Sequence, residues 1–263
     1  MWLALPNVED ALETDFIARR LLYYTSTSST MDIARAEADA DASEGTTVLA
    51  EEQTAGRGRF GRTWVSPAGK NLYFTVILRP TVQQVRLLGI ISPLAVALAI
   101  EETTGLTPQI KWPNDVLLAG RKVSGILIET EFSGSDPKYA LVGIGINVNF
   151  EIEPDSEIAD IATSVKQELN AEANREAILA AALNHIEALY AAPDPPAVIE
   201  AWKSRLETLG REITLTFRNE AISGHAEDVD DAGNLILKLA NGTMRTFEAG
   251  EVSLRPPSAQ PPA

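Results

Sequence analysis

Between Gln53 and Trp64 the chain reads Gln-Thr-Ala-Gly-Arg-Gly-Arg-Phe-Gly-Arg-Thr-Trp, three arginines and three glycines without an acidic side chain. The protein around it is acidic, with 37 Asp and Glu against 22 Lys and Arg and a net charge of -15. A loop of this kind suits an anionic ligand. Gly56, Gly58 and Gly61 allow backbone amides to approach closely, and the guanidinium forks of Arg57, Arg59 and Arg62 grip carboxylate or phosphate oxygens through paired hydrogen bonds. A solvated basic turn is the plainer reading, but it does not explain this density of arginine beside Trp64. The three glycines also satisfy the dinucleotide fingerprint formally. Polar residues precede them and no βαβ unit follows, so that reading is rejected. No Walker lysine motif occurs, and any ATP must therefore be held outside a P-loop.

A second group is Lys111-Trp112-Pro113-Asn114-Asp115, followed by Gly120-Arg121-Lys122-Val123-Ser124-Gly125-Ile126-Leu127-Ile128-Glu129. Pro113 disfavours helix at Trp112, so the segment reads as strand end, tight turn and new strand. Lys122 precedes an apolar strand and is suited to neutralising a carboxylate and a phosphate together. Taken alone, such a residue is more often a solvated strand-end lysine, and its weight comes from its company. Gly125 inside that strand implies that something approaches the backbone closely. In Gly143-Ile144-Gly145-Ile146-Asn147-Val148-Asn149, glycines and asparagines interrupt a core strand that propensity would fill with branched residues. The wall of a ligand site accounts for that.

The elements that must position these groups follow from periodicity. The Ser/Thr cluster from Thr25 to Thr30 reads as a loop leading into a helix from Met31, with Thr30 or Asp32 as its cap. Strands are expected at 46–50, 72–78, 109–112, 123–130 and 139–148, and helices at 90–101, 174–190 and 197–209. The later two helices are separated by the Pro193-Asp194-Pro195-Pro196 linker. After Gly210 the texture changes to short alternating runs at 213–217, 225–229, 235–239 and 245–247. Turn signals at Asp231-Ala232-Gly233-Asn234 and Asn241-Gly242 divide them, as in a small β-barrel. The expected units are residues 1–209, residues 210–255, and a disordered Pro-rich tail at 256–263.

Composition removes several classes of function. With 0 cysteines there are no disulfides, thiolate nucleophiles or cysteine zinc sites, and 2 histidines do not build a histidine metal centre, so a metal would need oxygen ligands. Neither a run of about 18 consecutive apolar residues nor a signal-peptide pattern is present, so a soluble, cytoplasmic protein without membrane association is expected. The net charge of -15 opposes DNA binding.

Taken in order, the arginine-glycine loop ending in Trp64, Lys-Trp-Pro-Asn-Asp at 111–115, Gly-Arg-Lys at 120–122 with its glycine-broken strand, and Gly-Ile-Gly-Ile-Asn at 143–147 resemble the biotin protein ligase family. Ala162-Thr163-Ser164 and the closing Gly250-Glu251-Val252-Ser253-Leu254-Arg255 extend the likeness over nearly the whole chain. The resemblance implies an α+β fold: a mixed β-sheet packed with helices, as in class II synthetases, followed by a small SH3-like β-barrel. It further implies that Ser29, Thr30 and Gln53 contact the ureido ring of biotin, with Gly56, Arg57, Trp64, Lys122 and Gly125 completing the biotin site. Arg57, Arg59, Arg62, Trp64, Asn114, Lys122 and Asn147 would face the nucleotide, and Lys122, Arg59 and Asp115 would be catalytic. Asp115 could cap a turn, orient Lys111 or assist the acceptor lysine. One departure stands out: many members carry asparagine after the Ser-Thr pair, where this chain has Met31.

The implied reaction has two steps. Biotin's carboxylate attacks the α-phosphate of ATP, with Mg²⁺ assisting on the pyrophosphate, and an acceptor lysine then attacks the biotinyl-adenylate. The implied acceptor is the biotin carboxyl carrier domain of a biotin-dependent carboxylase or decarboxylase. Monomer and homodimer are both left open, as are the Mg²⁺ ligands. Lipoate protein ligases share the fold and the acyl-adenylate, but their motifs differ. A bifunctional ligase and repressor is disfavoured, since fewer than 25 residues precede the Ser/Thr loop and a winged-helix domain needs more.

Overall fold

The computed structural model describes residues 2–191, 194–218 and 220–253. Helix α1 (Leu5–Ala11) leads to strand β1 (Leu21–Tyr24), helix α2 (Thr30–Asp39), strands β2 (Thr47–Ala50) and β3 (Leu72–Leu78), and the long helix α3 (Val82–Thr104). Strands β4 (Gln109–Lys111), β5 (Asp115–Leu118), β6 (Arg121–Ser133) and β7 (Asp136–Ile146) follow, then helices α4 (Val165–Leu169), α5 (Arg175–Tyr190) and α6 (Pro195–Lys203). The first seven strands form one sheet in the order β1-β2-β3-β7-β6-β5-β4, antiparallel except for the parallel β1–β2 pair. Strands β8 (Glu212–Phe217), β9 (Glu220–Val229), β10 (Leu235–Lys238), β11 (Met244–Phe247) and β12 (Glu251–Ser253) form a second, antiparallel sheet in the order β11-β10-β9-β8-β12. This is the α+β class expected.

Every residue of β3 is buried, because both faces of the central sheet are covered. Side chains alternate across a strand. Leu72, Phe74, Val76 and Leu78 of β3, with Ala140, Val142, Ile144 and Ile146 of β7, enter the main core beneath α3 and α5. The opposite face carries Thr75 and Ile77 of β3 and Leu141, Gly143 and Gly145 of β7. Here α2 packs Met31, Ala34 and Ala38 onto Val48, Ile77 and Leu141. The register carries one row across the sheet as Asp115–Gly125–Gly145–Tyr73–Ala50, and the next as Leu127–Gly143–Thr75–Val48. Period-two alternation thus collects Asp115, Gly125, Gly143, Gly145 and Thr75 on the face that α2 covers only in part.

Helix α3 begins eight residues earlier than the apolar pattern suggests. Thr81 and Gln84 close a capping box over its polar first turns, and Gly105 ends it in the left-handed region at φ 72°. Its length and composition would suffice for a membrane span, but most of it is buried in the core. Helix α6 stops at Lys203 rather than 209, because the backbone of the next residues is taken by β4: Ile110 donates to Arg205 O (2.8 Å) and Glu207 to Ile110 O (2.9 Å). The expected turns at 231–234 and 241–242 are present, each with its glycine at positive φ. The tail at 256–263, Leu254-Arg255 and Pro193 lie outside the described residues.

Candidate active site

One end of the site is a chain of neutral hydrogen bonds. Thr75 Oγ1 donates to Thr30 Oγ1 (2.8 Å), and Thr30 donates to Gln53 Oε1 through both its Oγ1 (3.1 Å) and its backbone N (2.9 Å). Gln53 Nε2 passes the chain to Ser66 Oγ (3.1 Å), which donates to Trp64 O (2.9 Å). Ser29 and Thr30 are buried, at 1% and 3% exposure, and the hydrogen bonds of Thr30 hold its polar atoms in place. Ser29, not Thr30 or Asp32, occupies the N-cap position of α2, and its side chain makes no capping bond. Asp32 is drawn away to Arg57 instead.

From that end a glycine track runs across β7 and β6. A Cβ built on Gly143 would lie 2.6 Å from Met31 Sδ, and one on Gly145 would lie 2.4 Å from Trp64 Nε1. One on Gly125 would meet Lys122 Cε at 2.9 Å and the Trp64 ring at 3.1 Å. What approaches the backbone at these glycines is therefore the protein's own Met31, Trp64 and Lys122, lying flat on the sheet. Trp64 Nε1 is buried there without a hydrogen-bond acceptor among the described residues. Such an orphaned donor is costly unless a ligand satisfies it. Gly56 answers to a different need: its Cβ would lie 2.4 Å from Trp64 O, which crosses it where the arginine loop folds back on itself.

At the far end stand the cations. Lys122 Nζ lies 2.6 Å from Asp115 Oδ1 and 5.3 Å from the Trp64 ring centroid. Asp115 thus orients Lys122, not Lys111, although Lys111 is its register partner. The arginine loop is a tight hairpin: Trp64 N donates to Gly56 O (2.9 Å) and Gly58 N to Arg62 O (2.7 Å), with a short 3-10 turn at Arg59–Gly61. Arg57 pairs with Asp32 (2.7 Å) and Arg62 with Glu251 of β12 (2.6 Å). Arg59 differs. Its Nη1 donates to the neutral Asn114 Oδ1 (2.9 Å), and it has no ion pair among the described residues. Burial pulls its pKa below the ordinary arginine range and Arg62 adds to this, while Asp115 and Glu251 pull it back up. Its charge is the least compensated at the site.

Asn114 is held from its other side, Nδ2 donating to Ile126 O (2.7 Å), and so ties the Lys-Trp-Pro-Asn-Asp turn to β6. Asn147 sits elsewhere. Its amide is committed to Thr163 O (3.1 Å) and to Asn71 Nδ2 (3.4 Å), which makes it a buried brace under the strand end. Several contributors escaped sequence reasoning. Thr75 had a signal, as a hydroxyl inside the apolar run Leu72–Leu78. Asp32, Ser66 and Glu251 had none, since their partners lie far away in sequence. Among the described residues no group of three His, Cys, Asp or Glu side chains converges, and Asp32, Asp115 and Glu251 each face a cation.

A neutral polar pocket joined by a glycine track to a cluster of cations is the arrangement that a carboxylate-activating ligase of the adenylating class needs. The comparisons agree. Residues 23–147 match the Biotin/lipoate A/B protein ligase family, and residues 208–255 match the Biotin protein ligase C terminal domain. The bifunctional ligase/repressor BirA of Bacillus subtilis is 34% identical over 250 residues, covering 92% of this chain and 77% of its own length. The biotin–[acetyl-CoA-carboxylase] ligase of Paracoccus denitrificans is 37% identical over 204 residues, 73% of this chain and 83% of that protein. Among solved structures, the biotin protein ligase of Aquifex aeolicus in complex with biotin and ATP superposes with a TM-score of 0.76 at 31% identity, covering 90% of this chain and 99% of that one. The chain belongs to the biotin protein ligase family.

Proposed function

We propose that biotin lies along the glycine track, its ureido ring against Ser29, Thr30 and Gln53 and its carboxylate directed to Lys122. The activity is ATP-dependent ligation of biotin to protein, that of a biotin–[acetyl-CoA-carboxylase] ligase. The observation that carries the placement is the single line from the Thr30–Gln53 hydrogen bonds, over Gly143, Gly145 and Gly125, to the Lys122–Asp115 pair. In the first half-reaction a carboxylate oxygen bonds to the α-phosphorus and the bond to the β-phosphate bridge breaks, releasing pyrophosphate. Two anions must meet for this, and Lys122, Arg57, Arg59 and Arg62 offset their repulsion where charge grows. Mg²⁺ enters as part of the MgATP substrate. In the second half-reaction the acceptor amine attacks the acyl carbon, AMP leaves, and the amine loses its proton. Asp115 keeps Lys122 aligned throughout.

Trp64 lies on Gly125 and Gly145, so a ligand on the track lifts the indole and the arginine loop moves with it. The mixed anhydride is prone to hydrolysis, which gives a closing loop a purpose. The acceptor is the biotin carboxyl carrier domain of a biotin-dependent carboxylase or decarboxylase. Residues 1–209 act as the biotin- and ATP-binding unit and 210–255 as its accessory barrel, working in the cytoplasm as monomer or homodimer. The net charge of -15 supports a ligase without DNA binding. The test incubates the protein with MgATP, labelled biotin and a carrier domain. Label on the carrier's lysine supports the reading, and absence of transfer overturns it.

A further inference from the structure

The C-terminal sheet meets the Lys-Trp-Pro-Asn-Asp turn at a buried tryptophan. Trp112, 2% exposed, donates from Nε1 to Gly233 O (2.9 Å) in the turn between β9 and β10, and from its backbone N to Thr208 Oγ1 (3.0 Å). The turn itself is rigid: Asp230 Oδ1 accepts from Ala232 N and Asn234 N (2.9 Å each), Oδ2 from Asn234 Nδ2 (2.9 Å), and Gly233 N donates to Asp230 O (2.8 Å). Gly233 has φ +78°, and a Cβ there would lie 3.0 Å from Ile90 of α3, so the turn is wedged against the large domain's core. Two residues beyond Trp112, Asn114 holds Arg59, and Asp115 holds Lys122.

We infer that the β9–β10 turn, through Trp112, is a positioning device for the adenylation centre: it sets the place of Asn114 and Asp115 and hence of Arg59 and Lys122. The small domain then acts on catalysis through the large domain's own turn, without touching a substrate at this point. A chain of packed, hydrogen-bonded groups transmits position because a reacting geometry displaced by even 1 Å loses much of its rate, on the order of a hundredfold. The biotin pocket at Thr30 and Gln53 is built from α2, β3 and the loop before Ser66 and shares none of these contacts. Trp112 and Asp230 should therefore move kcat far more than biotin affinity, whose neutral contacts at Thr30 and Gln53 stay in place.

The inference rests on the ligase reading, and the experiment separates the two. Biotin-dependent ATP–pyrophosphate exchange, biotin affinity and thermal midpoint are measured for the wild type, Trp112→Phe, Asp230→Ala and Asp230→Asn. Trp112→Phe keeps the ring's packing but loses the bond to Gly233, and Asp230→Ala loosens the turn from a distance. Each is expected to lower kcat roughly tenfold while biotin affinity stays within about twofold. Asp230→Asn retains the Oδ1 acceptor for both backbone amides and should restore most of the rate. Wild-type kcat in both Trp112→Phe and Asp230→Ala overturns the positioning role. So does a parallel fall of kcat, biotin affinity and thermal midpoint, which would mark general loss of structure. Absence of exchange in the wild type would instead overturn the ligase reading itself.

Discussion

Thr75, Thr30, Gln53 and Ser66 form a run of neutral hydrogen bonds at buried and half-buried positions, whereas Lys122, Arg57 and Arg62 each face a carboxylate in partly exposed surroundings. The two ends of one site follow different physical rules. Buried neutral groups recognise through geometry, and a partner left unpaired costs the full desolvation penalty. Exposed ion pairs contribute little to stability, so their cations can exchange carboxylates for an incoming phosphate at small expense. Binding of the ring and activation of the carboxylate should therefore separate under mutation.

The largest effect is expected at the charged end. Lys122→Ala should raise the barrier to adenylate formation by about 2 to 4 kcal/mol, as loss of one preorganised donor does, with a smaller loss of biotin affinity from the unpaired carboxylate. Biotin-dependent pyrophosphate exchange measures it, and an unchanged exchange rate would return Lys122 to a solvated strand-end lysine. At the neutral end, Gln53→Ala leaves Thr30 N and Oγ1 without their acceptor and should weaken biotin binding by about 1 to 3 kcal/mol. Titration with biotin should show the loss, while kcat at saturating biotin changes less. Equal losses in kcat from both variants would erase the distinction between the two ends.

Arg59 sharpens the comparison because it is the loop's arginine without an ion pair among the described residues. Replacement by glycine removes the bond to Asn114 and adds freedom to a loop that already holds Gly56, Gly58 and Gly61. The closed state over the adenylate should then be less populated, and the adenylate should escape about tenfold faster and label a bystander protein's lysines. Equal dissociation and equal bystander labelling would remove Arg59 from the lid.

The smallest effect concerns Lys203 and Asp228, a 2.7 Å pair joining α6 to β9. The hydrogen bond from Lys203, helped by the backbone N–H of Val229, holds the Asp228 carboxyl below its usual range. The stabilisation is present above the carboxylate's unfolded pKa and is lost as pH falls through the lower folded value. Because both groups are partly exposed, Asp228→Asn should cost only a few tenths of a kcal/mol at neutral pH, read as a small shift in thermal midpoint that vanishes in acid.

Much of this arrangement was legible in the residues themselves. The run Leu72–Leu78 gave its strand to the residue, because a doubly covered strand leaves no polar interruption except Thr75. The arginine loop, Lys122 and the glycine-broken strands announced a site because each violates local propensity. What the glycines face was not legible: Met31 and Trp64 reach Gly143 and Gly145 only through tertiary packing. That Asn147 braces Thr163 and Asn71 was not legible either, since they lie 16 and 76 residues away. The early start of α3 and the early stop of α6 depend on a capping box and on a β4 pairing that apolar periodicity does not register.

The most direct test of the account is ATP–pyrophosphate exchange by the wild-type protein with biotin or with lipoate as the only carboxylic acid. The proposed placement of a ureido ring at Thr30 and Gln53 predicts exchange with biotin and little or none with lipoate. Exchange with lipoate at a matching rate, or none with either acid, would contradict it.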